Sequence, residues 1–275
     1  MQPENIAIIG SGAIGNAFSQ ELLSKYPNSK INVFSRKLPR TNTSAVAHHL
    51  IDYDSISSMN SAAELASAEK PLDLVLVATG ILHAENLRPE KSLKELSSQN
   101  FETLFKINTI VPALIAKCFL PLLNRKGMSI FAALSARVGS ISDNQLGGWY
   151  AYRASKSALN MIIKSASIEV ARKNPEAMVV GLHPGTVDSD LSKPFQQNVN
   201  ADKLLPNSWI YSREGGGRNI GEACHFYDLI LFLISSKSLL SILYLLFLIL
   251  LITSFVTSEL QSLTSYKSLS KLLAI

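Results

Sequence analysis

The stretch Asn5–Phe18, NIAIIGSGAIGNAF, decides how the chain is read. Its first five residues form a run without in–out alternation, as a strand buried on both faces of a parallel sheet requires. Gly10, Gly12 and Gly15 follow in the spacing G-x-G-x-x-G. One glycine makes a tight turn, a second lets backbone amides approach a pyrophosphate, and a third packs helix against strand. The helix that opens here adds free N–H groups and the positive end of its dipole. The strand–turn–helix context predicts a dinucleotide site within the first fifteen residues. Methyltransferases carry similar loops, so the loop alone does not name the reaction.

Outward from this loop the pattern repeats. Strands are expected over Lys30–Phe34, Leu72–Ala78, Met128–Leu134 and Ala177–Leu182, and helices over Gly15–Lys25, Phe101–Leu123 and Tyr152–Arg172. Apolar strands separated by helices imply an α/β fold, a doubly wound parallel sheet of the Rossmann type. The end of the second strand bears on the cofactor. An NAD site places a carboxylate about 20 residues past the loop to bind the ribose 2′-OH. This chain has Ser35-Arg36-Lys37 there. Arg36 offers a planar donor fork to a 2′-phosphate, so NADP(H) is the expected cofactor and NAD(H) the alternative. A solvated basic turn would look the same.

Tyr152 and Lys156 stand four apart in YAYRASKSALN, on one face of a helix. A free phenol titrates near ~10. A neighbouring ammonium favours the phenolate and is expected to bring that value toward neutrality.

With the glycine loop, these residues make the chain resemble the short-chain dehydrogenase/reductase family over about residues 4–205. The resemblance rests also on Ala78-Thr79-Gly80, Asn108 in FKINTIVPAL, ALSARVGS, and HPGTVDSDLSKPF. It is strongest toward the C-factor and sniffer-like carbonyl reductases. The resemblance implies that Tyr152 protonates a carbonyl as hydride arrives, and that Lys156 holds the nicotinamide ribose and tunes Tyr152. It implies that Ser135 bonds the substrate carbonyl and that Asn108 holds a relay water. Gly10, Ser11, Gly12, Ile14 and Gly15 would carry the pyrophosphate, with Ser35 and Arg36 at the 2′ position and Asp52 at the adenine edge. Ala78, Thr79 and Gly80 would line the cofactor, and Pro184, Gly185, Val187 and Ser189 would cradle its carboxamide end.

Some positions depart from the family or have plainer readings. Ala13 replaces a glycine common in the branch. Ser135 lies 17 residues before Tyr152, a longer spacing than usual, which an insertion at Gly147-Gly148 would absorb; Ser140 and Ser142 are its rivals. Asp52 and Asp54 read equally well as turn formers. Pro112, four residues after Asn108, would kink that helix. His183 reads as structural, and Cys118 as a small buried hydrophobe.

Composition narrows the classes. Hydrophobic residues make up 47% and charged residues 17%, which a core-forming chain needs and a disordered one lacks. The net charge of +5 comes without a dense basic cluster, so nucleic acid is not an expected partner. Cys118 and Cys224 support neither a disulfide framework nor a metal site. His48, His49, His83, His183 and His225 show no ligand spacing, so no metal is expected. The N-terminus shows no secretory pattern, and a cytoplasmic protein is expected.

After about Leu205 the character changes. The expected organisation is a reductase domain over 1–205, an irregular Gly-rich linker over 206–237, an apolar helix over 238–258, and a tail over 259–275. Ser238–Ser258 holds no charged residue. As a helix its 21 residues would span about 31 Å, matching a hydrocarbon core of about 30 Å. Attachment to a membrane is one expectation; a shifted or fused reading of the chain after Leu205 is the other. The apolar helices 101–123 and 152–172 also suggest an isologous homodimer, as in the family. Two functions emerge: an NADP(H)-dependent reductase of a small carbonyl or alcohol substrate, or a cofactor-binding, catalytically impaired membrane-attached protein.

Overall fold

A computed structural model describes residues 2–39 and 46–184, with Pro194. The expectations for Gly185, Val187, Ser189 and the segments 206–237, 238–258 and 259–275 lie outside the described residues.

The order is β1 (Asn5–Ile9), α1 (Ala13–Lys25), β2 (Lys30–Ser35), β3 (Val46–Leu50), α2 (Ile56–Ser67) and β4 (Leu74–Val77). It continues with α3 (Ser98–Phe105), α4 (Val111–Phe119), β5 (Ser129–Leu134), α5 (Tyr150–Ala171) and β6 (Ala177–Leu182). These strands form one parallel sheet in the order β3-β2-β1-β4-β5-β6. The chain steps outward from β1 to one side, then resumes at β4 on the other. The switch point between β1 and β4 is where such a sheet opens a crevice at its carboxyl edge.

Alternate residues of the central strands build the core on one face. Ala7, Ile9, Val75, Val77, Phe131 and Ala133 meet Met59 and Ala62 of α2, Ile115 and Phe119 of α4, and Leu159 and Ile163 of α5. On β1, β4, β5 and β6 every residue is buried, which explains why all but Asn5, Ser129 and Gly181 carry apolar side chains.

Two elements escaped the sequence reading. Strand β3, VAHHL, lies at one edge of the described sheet and is only partly buried, so it needs no apolar run. Helix α2, ISSMNSAAELAS, buries Met59, Ala62, Ala63 and Ala66 at helical spacing, but its stripe is mostly alanine. It is capped by Ser55, whose hydroxyl accepts from the Ser58 amide at 3.2 Å.

The expected long helix over 101–123 is broken. Between α3 and α4, Lys106–Ile110 forms a π-turn, in which the Val111 amide reaches back five residues to the Lys106 carbonyl. Pro112 has no N–H to return to the Asn108 carbonyl, so the widening falls where the α-ladder is already interrupted. The run Ser98–Leu122 is the one described helix long and apolar enough to cross a membrane, and half of its most apolar window is buried. Here it is a core helix against α2 and α5.

Candidate functional site

The loop between β1 and α1 has the shape that its glycines allow. Gly10 adopts a φ of +110°, and a Cβ there would press on the Ala78 carbonyl at 2.9 Å. A Cβ on Gly15 would fall on the Gly10 carbonyl, whereas one on Gly12 would meet nothing within 4 Å. Strand and helix are thus locked together at Gly10 and Gly15, and Gly12 faces open space. Helix α1 starts without a side-chain cap, leaving first-turn amides available to a phosphate. Ser11 and Ile14 are half-buried beside this opening, and Ala13 is exposed. At the end of β4, Thr79 buries a hydroxyl oxygen that has no protein partner. An orphaned hydroxyl, an open glycine and an uncapped helix at the switch point fit a dinucleotide.

Ser35 closes β2 by donating to the Lys37 carbonyl at 2.6 Å, which leaves Arg36 exposed at the carboxyl edge. The Arg36 guanidinium lies 6.0 Å from the ring centre of Tyr53. Burial pushes the Tyr53 phenol up to about 12, so it is a neutral platform for the cation. Asp52 uses one carboxylate oxygen to accept from the Asp54 amide at 2.9 Å, the turn-forming role, while remaining exposed.

On α5, Tyr152 and Lys156 are both buried, at 7% and 3% exposure. Lys156 Nζ donates to the Leu134 carbonyl at 2.8 Å and lies 5.9 Å from the Tyr152 ring centre. A Cβ on Gly80 would stand 3.8 Å from that Nζ and 3.6 Å from Asn108 Oδ1. Four sequence-predicted residues, Gly80, Asn108, Tyr152 and Lys156, are therefore brought into one neighbourhood.

The electrostatics differ from the expectation of a phenol lowered by its lysine. Burial pushes Tyr152 up to about 12 and brings Lys156 down to about 8. Desolvation opposes the charged form of each, and at this separation it outweighs their attraction. His183, just past β6, falls to about 4 through burial and the nearby Arg137 and Lys156 charges, so its imidazole is neutral at pH 7. Pro184 is half-buried beside it.

The Asn108 side chain clamps the chain after β4: Oδ1 accepts from the Ile81 amide and Nδ2 donates to the Ile81 carbonyl, both at 2.9 Å. Nδ2 also reaches Ser155 Oγ of α5 at 3.3 Å, and Asn108 has no exposed surface. The side chain ties the β4 loop to the Tyr–Lys helix.

Ser135 lies just past the end of β5. Its hydroxyl donates to Asn160 Oδ1 at 2.6 Å. Asn160 lies two helical turns, about 12 Å, beyond Tyr152 on α5. The residue from this strand end that packs with the Tyr152 cluster is Ala136. Successive side chains of an extended segment point to opposite sides, so Ser135 and Ala136 cannot both face Tyr152. Ser140 and Ser142 sit in the following loop with their hydroxyl oxygens 3.4 Å apart, and Ser140 accepts from the Asp143 amide. The sequence reading missed position 136 because an alanine carries no chemical signal.

The profile of the short chain dehydrogenase family matches residues 5–200. The chain belongs to that family. Among curated proteins it is 36% identical over 104 residues to the C-signal protein of Myxococcus xanthus, covering 38% of this chain and 61% of that one. It is 32% identical over 137 residues to the 1-hydroxy-2-glutathionyl-2-methyl-3-butene dehydrogenase of Rhodococcus sp. (strain AD45), covering 49% and 55%. The chain thus spans between half and two thirds of the length of these relatives. Among solved structures, the carbonyl reductase Sniffer of D. melanogaster superposes with a TM-score of 0.60 at 27% identity, covering 68% of this chain and 82% of that one.

Proposed function

We propose that this chain is an NADP(H)-dependent oxidoreductase that transfers hydride between the nicotinamide and a carbonyl or alcohol, with Tyr152 as proton donor and acceptor. The observation that carries the reading is the buried Tyr152–Lys156 pair beside Gly80 and Asn108 at the carboxyl edge of the sheet. When bound, the nicotinamide supplies the hydride. Gly10, Ser11, Gly12, Ile14 and Gly15 would hold the pyrophosphate, and Ala78, Thr79 and Gly80 the adjoining ribose. Lys156 would turn its ammonium from the Leu134 carbonyl to the ribose hydroxyls. Tyr152, protonated at neutral pH, would give its proton to the carbonyl oxygen. The kinship to carbonyl reductases supports the substrate class. The test is fluorescence titration with NADPH, followed by loss of absorbance at 340 nm with aromatic and aliphatic carbonyls; no cofactor binding would sink the reading.

Arg36, in the stretch Ser35-Arg36-Lys37 that holds no carboxylate, favours the phosphorylated cofactor. NADPH is expected to bind more tightly than NADH by about 1–3 kcal/mol, the size of a charge-assisted hydrogen bond. Arg36→Asp should erase or reverse that ratio, because a carboxylate repels the 2′-phosphate. Equal affinities in the native protein would count against this role for Arg36.

The impaired, cofactor-binding alternative is favoured by one observation: Ser135 is turned to Asn160 and Ala136 faces the Tyr152 cluster. On this reading the site lacks a hydroxyl to bond the substrate oxygen. Ala136→Ser is then expected to raise kcat by about tenfold, as a recovered donor to a developing oxyanion can, and Ser135→Ala to change it little. A large loss in Ser135→Ala would restore Ser135 as the substrate-bonding group.

A homodimer is proposed on family kinship and on the exposed apolar residues Ile110, Met161 and Ile168. Attachment of a cytoplasmic reductase to a membrane through residues 238–258 is proposed on the sequence alone, and liposome flotation checks it.

A further inference from the structure

Helix α5 carries both reactive side chains, yet its start is poorly made by local means. Gly147, Gly148 and Trp149 adopt φ values of +65°, +64° and +51° in succession. For tryptophan this left-handed conformation is strained. Trp149 is also the N-cap, and it has no side-chain oxygen to bond a first-turn amide.

The missing acceptor comes from a distant segment. Glu90, between β4 and α3, is a carboxylate with 1% exposure, and among the described residues no cation pairs with it. Its Oε2 accepts from the Ala151 amide at 3.3 Å, and its backbone carbonyl accepts from the Trp149 amide at 2.5 Å. Asn100 of α3 holds the other oxygen at 3.5 Å. Gly148 fits against the same Glu90 carbonyl, which a Cβ would meet at 3.4 Å. A buried carboxylate at the positive end of a helix is favourable to the helix dipole, and here it also binds a free first-turn amide. Tyr152 lies in that first turn, one residue past Ala151, and its ring packs edge-on to Trp149 at 6.2 Å.

We propose that Glu90 is a positioning residue for the reaction: by capping the first turn of α5 from outside, it fixes where Tyr152 presents its phenol. The proposal rests on the reading of Tyr152 as the proton donor. It requires the reach of the Glu90 side chain, and its charge is secondary. Misplacing a reacting group by about 1 Å can lower the rate about a hundredfold, so loss of the cap acts through geometry.

Two variants separate reach from charge. Glu90→Gln keeps an acceptor at the same distance, whereas Glu90→Asp keeps the charge and withdraws it by one methylene. With NADPH and benzil as the probe carbonyl, Glu90→Gln is expected to stay within about threefold of native kcat, and Glu90→Asp to fall by about tenfold or more. KM for NADPH should stay within about twofold in both, because the dinucleotide loop lies on β1 and α1. Hydrogen exchange supplies a readout independent of turnover: amides 149–153 should exchange at least about tenfold faster in Glu90→Asp alone. Native kcat in Glu90→Asp, or unchanged exchange at these amides, would overturn the proposal. If the native protein does not reduce benzil, the proposed substrate class is in question, and exchange alone decides whether Glu90 holds the turn.

Discussion

Replacing Tyr152 with phenylalanine is expected to lower turnover by about two or more orders of magnitude while leaving NADPH affinity within about twofold. The ring stays in its cluster with Leu82, Leu87, Leu104 and Ala151, so packing is preserved and only the hydroxyl is lost. Burial holds this phenol at about 12 in the cofactor-free protein. It therefore carries its proton at neutral pH, the form that carbonyl reduction needs. Alcohol oxidation needs the phenolate and should gain rate as pH rises. Fluorescence titration and steady-state kinetics in both directions check these statements. Near-native kcat in Tyr152→Phe would remove Tyr152 from the reaction.

Lys156→Met is expected to abolish more than about 99% of turnover and yet raise the melting temperature of the cofactor-free protein at pH 7. Lys156 is 3% exposed, and burial brings its ammonium down to about 8 from an ordinary 10.5. An unfolded lysine holds its proton up to the ordinary value, so folding must force the charge out of water. That cost is absent above 10.5, grows as pH falls, and is complete below about 8. Methionine fills similar space without the charge. The gain in melting temperature should therefore shrink between pH 8 and pH 10. Calorimetry across that range, on protein without cofactor, measures it. A variant less stable than the native protein at pH 7 would show that the bond to the Leu134 carbonyl outweighs desolvation.

Both expectations begin from residues legible in the sequence, but their electrostatics were not. The i, i+4 spacing correctly placed Tyr152 and Lys156 on one helix face. It could not report burial, and burial reverses the expected direction of the Tyr152 shift. The strands β1, β4, β5 and β6 were visible because each is almost wholly apolar, and β2 because Ile31, Val33 and Phe34 stand close together in it. Strand β3 was not, because only Val46 of its five residues is buried, so little apolar character is demanded of it. Glu90 reads as one more charge in the polar stretch RPEKS, and only the approach of α5 encloses it.

The sequence by itself determined the parallel α/β class, the glycine turn between β1 and α1, and the shared helix face of Tyr152 and Lys156. These are local signals: glycine spacing sets backbone freedom, apolar runs set burial on two faces, and helical periodicity sets a shared face. The tertiary structure alone decided which neighbour each side chain meets. It turned Ser135 to Asn160 and Ala136 to the Tyr152 cluster, closed Asn108 onto Ile81, and brought the Glu90 carboxylate 61 residues along the chain to Ala151. The physical reason is that hydrogen bonds and desolvation depend on separations of a few ångströms between segments far apart in the chain. No local pattern encodes those separations.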